Sequence, residues 1–151
     1  MKDTITNDVK NPAEVEIFCD GACSGNPGKG GWAAMIRRGK HEIVISGSAA
    51  DTTNNQMELT AVISALEMLN PRETVTVFSD SKYVVEGITN WLPGWKKNNW
   101  VTATKTRVKN RELWEKLDML ASKFHAKFKW VRGHSNDEID LVDQYAKEQA
   151  R

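Results

Sequence analysis

Two stretches of this sequence end an apolar run on an aspartate: Phe18-Cys19-Asp20-Gly21 and Phe78-Ser79-Asp80-Ser81. In each, the Asp stands where a strand gives way to a loop or helix. If the two strands run parallel, both carboxylates leave the sheet at the same edge, where open α/β sheets hold ligands. An Asp after a strand also serves as a turn residue or helix N-cap, so either residue alone fits both roles. Glu58 directly precedes Leu59, the first apolar residue of a helical stripe. It therefore lies about 100° around the axis from that stripe, on the flank that can face a neighbouring sheet end. Taken singly, it is also an ordinary first-turn acid favoured by the helix dipole. A last group follows Trp130-Val131-Arg132-Gly133-His134: Asp137, Asp140 and Asp143. Asp140 and Asp143 are three apart and share a helix face, and His134 stands beside them. Carboxylates gathered at one sheet edge with a histidine next to them make a polar reaction site.

What such a site acts on is indicated by charge. The 151 residues carry a net charge of only +1, from 21 Lys and Arg against 20 Asp and Glu. The charges are segregated. Between Trp91 and Arg132 eleven basic residues face three acidic ones, whereas between Gly133 and Arg151 two face five. That separation fits a grip for a polyanion beside an acidic site, although a solvated helix face has the same composition. Trp91, Trp95, Trp100 and Trp114 tilt the reading, because basic residues mixed with aromatics suit a nucleic-acid backbone and its sugars or bases.

The elements that must position these residues can be read from periodicity. Val15 to Asp20 reads as a strand with Val15, Ile17 and Cys19 on one face and Phe18 and Asp20 on the other. Gly21 to Gly31 reads as a turn or loop by its glycines and Asn26-Pro27-Gly28. Trp32 to Arg38 and Glu42 to Ser48 form a hairpin. Asn54 to Leu69 is a helix with Leu59, Val62, Ile63, Leu66 and Leu69 at steps of three and four, capped by Thr53 or Asn54 and stopped by Pro71. Thr74 to Ser79 is a strand, Ser81 to Ile88 a short helix, and Trp91 to Asn110 irregular or briefly helical. Asn110 opens a helix striped by Leu113, Leu117, Leu120, Ala121 and Phe124. Lys127 to Val131 is a last strand and Asp140 to Ala150 a terminal helix. The order predicts an α/β chain, a mixed sheet flanked by helices.

With the motifs in place, the chain resembles the bacterial ribonuclease HI family. The resemblance rests on Asp20-Gly21-Ala22-Cys23-Ser24-Gly25-Asn26-Pro27-Gly28-Lys29-Gly30-Gly31-Trp32, Thr52 to Glu58, Ser79-Asp80-Ser81 and Gly133-His134, and runs from about Val15 to Ala150. It implies the ribonuclease H-like fold, a mixed five-stranded sheet flanked by helices. It also implies endonucleolytic hydrolysis of the RNA strand of RNA–DNA hybrids with Mg²⁺ or Mn²⁺, leaving 5′-phosphate and 3′-hydroxyl ends. By resemblance, Asp20, Glu58, Asp80 and Asp143 are the metal-binding carboxylates and His134 the histidine of a mobile loop. The chemistry is consistent, since two hard cations about 4 Å apart can hold the attacking and leaving oxygens in line and neutralise the phosphate. Cys23, Asn26, Asn54 and Asn55 resemble contacts across the minor groove, where 2′-hydroxyls mark RNA. Asn26 and Thr53 resemble part of a pocket for a DNA phosphate, and Lys96 and Lys97 between Trp95 and Trp100 resemble a basic protrusion that binds the DNA strand. Trp91 and Trp114 read as packing residues of that protrusion.

The chain departs from the family after His134. Ser135-Asn136-Asp137-Glu138-Ile139 is short and lacks glycine, and Asp140 stands where a Glu is expected. Counting back from Ala146 makes Asp143 the fourth carboxylate, with Asp140 the alternative. Residues 1–13 read as a flexible tail and 14–151 as one catalytic domain. The polar N-terminus carries no export signal, no run is long enough to span a membrane, and Cys19 and Cys23 are too few for a disulfide framework. A cytoplasmic monomer without an obligate protein partner is the expectation. Two other classes share parts of this pattern. A non-catalytic hybrid or double-stranded RNA binder has no use for three mutually repelling acids beside phosphate. A polynucleotidyl transferase core lacks the basic Trp91 to Lys109 insertion.

Overall fold

β1 (Glu14–Ser24) is the central strand of a five-stranded sheet of order β3-β2-β1-β4-β5 in the computed structural model, which describes residues 14–151. The tail expected over residues 1–13 lies outside the described residues. β2 (Gly28–Arg38) and β3 (His41–Thr52) continue antiparallel on one side of β1. β4 (Thr74–Ser79) and β5 (Lys127–Trp130) run parallel on the other. The register pairs Cys19 with Ser79, so Asp20 and Asp80 are the next residues on two parallel strands.

Alternation along β1 loads both faces. Val15, Ile17 and Cys19 are fully buried on one face with Val75, Val77, Leu59, Val62 and Leu66. That layer holds α1 (Asn54–Leu66), α2 (Lys82–Glu86), a π-helical turn (Gly87–Trp91), α3 (Leu92–Lys97) and α4 (Arg111–Lys123). Phe18 turns to the other face and packs with Ala33, Met35, Ile139, Val142 and Ala146 under α5 (Asp137–Gln149). A mixed sheet between helices is the architecture read from the sequence.

Three expectations need correction. The glycine-rich 21–31 stretch is strand rather than loop, apart from a turn over residues 25–27, because Gly21, Ala22 and Cys23 pair with Trp32, Gly31 and Gly30. Here glycine is required for approach. A Cβ on Gly21 would stand 2.5 Å from the Glu58 nitrogen, and one on Gly31 2.4 Å from the Ala146 carbonyl oxygen. α1 ends at Leu66, not Leu69, since Met68 and Leu69 donate to carbonyls three residues back. Leu69 nevertheless stays buried. α5 starts at Asp137, three residues early, because the Asn136 side chain caps it by accepting from the Ile139 N–H at 2.7 Å. Thr53 caps α1 as expected, accepting from the Gln56 N–H at 3.2 Å.

These contacts predict that Gly31→Ala costs about 1–3 kcal/mol by forcing α5 away from β2. Urea unfolding measures it. An unchanged midpoint would show that the β2–α5 distance is not set by Gly31.

Candidate active site

Asp20 lies inside β1, one residue past the last one paired with β4, Asp80 directly follows β4, and α1 delivers Glu58. Gly21 lets the first turns of α1 lie directly on β1, which brings Glu58 beside Asp20 and buries it. Glu58 is 6% exposed and Asp20 4%, so the helix flank on which Glu58 sits is turned inward against the sheet. One ligand atom from each of Asp20, Glu58 and Asp80 lies within 4.8 Å of the others.

Asp143, on α5, approaches from the opposite layer within hydrogen-bonding reach of Asp20. The four acids line one cleft of about 830 Å³ with Cys23, Asn54, Asn55, Lys82, Tyr83 and Lys147. Asp140 does not reach it. Its Oδ1 pairs instead with Nδ1 of His134 at 2.8 Å. The His134 side chain is 72% exposed and its backbone is left-handed, φ 60°. One turn of α5 thus separates the two acids, with Asp143 toward Asp20 and Asp140 toward His134.

Crowding of two buried and two partly buried carboxylates sets the electrostatics. Burial first, then hydrogen bonding with Asp143 and the charge of Asp80, pushes the Asp20 carboxyl up to about 8. Glu58 is also pushed well up, by burial and by the charges of Asp20 and Asp80. Its buried Oε1 has no hydrogen-bond partner, a costly state for a polar atom. Burial raises Asp80 as well, against a hydrogen bond from Asp20 that lowers it. Asp143 goes the other way. Burial opposes, but hydrogen bonding with Asp20 and the Lys147 ammonium, 3.0 Å from its Oδ2, together hold it below the usual range. Oxygen ligands held this close, with one buried oxygen unsatisfied, fit a hard divalent cation.

The expected contacts divide. Asn26 accepts from the Asn54 N–H through Oδ1 at 3.0 Å, which ties the 25–27 turn to the start of α1. Cys23 sits on the cleft wall, its thiol against the Gly28 and Thr52 carbonyls, and both cysteines are free. Lys96 and Lys97 are exposed on α3, Lys96 pairing with Asp118 at 3.0 Å. Trp95 is half-buried. Trp100, expected among the substrate contacts, is instead a core residue, 9% exposed. Asn99 and Trp100 are both left-handed and reverse the chain there, turning the indole inward against Trp95. Trp114 is fully buried as expected, but Trp91 is 39% exposed. Its ring rests on Tyr83 and Trp95 at the surface.

Sequence reasoning passed over Lys147 and Lys82. Lys147 follows Asp143 at the i,i+4 spacing that pairs charges on a helix, and that signal was available. Lys82 follows Asp80 by two residues, and only the fold shows that α2 leaves it on the cleft wall.

The mixed sheet with acids just past the paired segment of β1 and β4 defines an α/β fold of nuclease type, and comparisons agree. The family model described as RNase H matches residues 12–151. A ribonuclease H of Thiobacillus denitrificans is 49% identical over 141 residues, covering 91% of this chain and 95% of that protein. A ribonuclease HI of Neisseria meningitidis is 50% identical over 121 residues, 80% of this chain and 83% of that protein. Among solved structures, LC9-RNase H1, described as a type 1 RNase H with the type 2 active-site motif, superposes with a TM-score of 0.81 at 25% identity. The match covers 91% of this chain and 72% of that one. The chain belongs to the ribonuclease H family.

The charge state of the site has a thermodynamic consequence. Folded and metal-free, Asp20 holds its proton to about pH 8, whereas in the unfolded chain it releases it near pH 4. The folded state binds the extra proton across that window, so stability falls as pH rises from about 4 to about 8. Asp20→Asn removes the penalty. In EDTA at pH 8 it raises Tm by roughly 2–6 °C, read by scanning calorimetry, and the variant's Tm declines less steeply across that range, since Glu58 and Asp80, also raised, still titrate. A variant less stable than the parent at pH 8 would contradict this electrostatic account.

Proposed function

We propose that this chain is an endonuclease that hydrolyses the RNA strand of RNA–DNA hybrids, using residues 14–151 as one catalytic domain. The observation that carries the reading is the convergence of Asp20, Glu58 and Asp80, with a buried Glu58 oxygen that has no hydrogen-bond partner in the protein. Family membership and near-50% identity to proteins named ribonuclease H support it. LC11-RNase H1, a fold neighbour at 23% identity, is described in complex with an RNA/DNA hybrid.

Asp20, Glu58, Asp80 and Asp143 are read as the metal-binding set, for Mg²⁺ with Mn²⁺ as a substitute. Bound there, divalent cations would neutralise the scissile phosphate and activate water for in-line attack, leaving 5′-phosphate and 3′-hydroxyl ends. Within the chain, Asp20 is central because it meets acids from both helical layers. Lys147 keeps Asp143 ionised while Asp20 carries the proton in the metal-free state. His134 has Nδ1 committed to Asp140, which leaves Nε2 to pass a proton from the adjoining pocket that it lines with Asp143 and Lys147. Cys23, Asn54 and Asn55 line the wall where a minor groove would lie, with Asn26 and Thr53 at the same edge. Trp95, Lys96 and Lys97 form the surface that would receive the DNA strand. No base-reading element is evident among the described residues, so selectivity should rest on hybrid shape and 2′-hydroxyls. A cytoplasmic monomer is part of this reading; both cysteines are free, and among the described residues no helix is long and apolar enough to cross a membrane.

A digest of end-labelled hybrid, double-stranded RNA and double-stranded DNA tests the reading directly. Cleavage is expected only in the RNA strand of the hybrid, with Mg²⁺ or Mn²⁺ and not in EDTA; cutting in EDTA would overturn it. Asp143→Asn should lower kcat by roughly 100-fold or more, and Asp140→Asn by about 10-fold, as for a residue that orients another. The reverse order would move the fourth carboxylate to Asp140. Replacing Lys96 and Lys97 together by Ala should raise KM more than it lowers kcat. It should also flatten the salt dependence of hybrid binding by a slope of about 1–2. An unchanged slope would remove them from the binding surface.

A further inference from the structure

The end of β5 closes over the turn that carries Asp80. β4 stops at Ser79, and Ser81 already caps α2 by accepting from the Val84 N–H, so Asp80 is a single residue spanning strand and helix. Two hydrogen bonds from β5 fix that span. The Val131 N–H donates to the Ser79 carbonyl at 2.9 Å, extending the parallel ladder by one step. The Trp130 indole N–H donates to the carbonyl of Asp80 itself, also at 2.9 Å. On the side-chain side the constraint is steric: a Cβ on Gly133 would stand 3.0 Å from Asp80 Oδ2.

Trp130 is 44% exposed, so its ring is only partly taken up in packing. Its polar atom is the one committed to the acid turn. The ring also carries the Lys82 ammonium 5.1 Å from its centroid, and Lys82 lies on the same cleft wall.

We propose that Trp130 is a positioning residue for Asp80. Its indole N–H holds the Asp80 peptide, Gly133 leaves the carboxylate room, and together they aim Asp80 at Asp20 and Glu58. The inference rests on the reading of Asp80 as a metal ligand. Ligand geometry must hold to a fraction of an ångström to be productive, and within the span itself the local tie is the Ser81 N–H donated to Ser79 Oγ at 3.0 Å, which leaves the Asp80 carbonyl to Trp130. The same contact anchors the chain four residues before His134, so Asp80 and the His134 segment leave from one fixed point.

The test is calorimetric titration of Mn²⁺ into the intact protein without substrate, beside steady-state kinetics on hybrid. Trp130→Phe, which keeps an aromatic ring and loses the donor, and Gly133→Ala should each weaken Mn²⁺ binding by about 3–10-fold. KM for hybrid should stay within about 2-fold, and the loss of kcat should shrink as metal is raised. Incorporating benzothienylalanine at position 130 exchanges only the N–H for sulfur. It should reproduce the Phe result, and it decides the matter if Trp130→Phe folds poorly. Parental Mn²⁺ affinity in the benzothienylalanine protein would overturn the proposal. Asp80→Asn separates the two layers of the argument. If it too binds Mn²⁺ like the parent, the metal-ligand reading of Asp80 fails. If Asp80→Asn alone weakens binding, that reading stands and the positioning role falls.

Discussion

Carboxylates buried side by side repel one another and lose their hydration, and the fold described here spends stability to keep them so. Asp20 and Glu58 are nearly inaccessible, one Glu58 oxygen is unpartnered, and Asp20 is pushed up to about 8. Each charge placed in such a site without a counterion costs several kcal/mol in principle, and the chain avoids it by holding protons. A divalent cation replaces those protons with a charge the oxygens can share. The acids are therefore a metal-free liability that is useful only when loaded.

Holding repelling groups in place demands rigid supports, and they come from both layers. Parallel β1 and β4 set Asp20 and Asp80 one step beyond the last paired residues. Gly21 admits α1 from one side, bringing Glu58, and Gly31 admits α5 from the other, bringing Asp143. Lys147 offsets the charge of Asp143. At the far end of α5, Arg37 on β2 reaches Glu138 in the first turn and also pairs with Glu16 and Glu42. The helix is thus pinned across three strands while its middle faces the acids.

Much of this was legible in the sequence, for identifiable reasons. Asp20 and Asp80 announced themselves because each closes an apolar run, although β1 continues past Asp20 to Ser24, and the parallel pairing that brings them together was a condition that the structure meets. The α1 stripe placed Glu58 on the correct flank. What the pattern did not convey was how closely α1 approaches, since that depends on the missing Cβ of Gly21. Glycine carries two meanings, turn and close contact, and composition favours the first, so the 21–31 segment read as loop although most of it is strand. Asp140 and Asp143 could not be separated by spacing alone, because both lie on one helical face. Only the docking of α5 turns Asp143 to Asp20 and leaves Asp140 to His134. Trp100 read as a surface aromatic because its neighbours are basic, and its burial depends on left-handed residues at 99 and 100 that no periodicity encodes. Trp130 drew no notice, since the partner of its N–H is a backbone carbonyl fifty residues away.

The central claim is that Asp20 shares one pocket with Glu58 and Asp80 and ionises at neutral pH only when a divalent cation is bound. Carboxyl-carbon NMR of Asp20 through a pH titration, with EDTA and then with saturating Mg²⁺, tests it at the atom concerned. The account predicts a midpoint near 8 without metal and an ionised carboxylate well below neutrality with it. A midpoint near 4 in EDTA, unmoved by Mg²⁺, would contradict it.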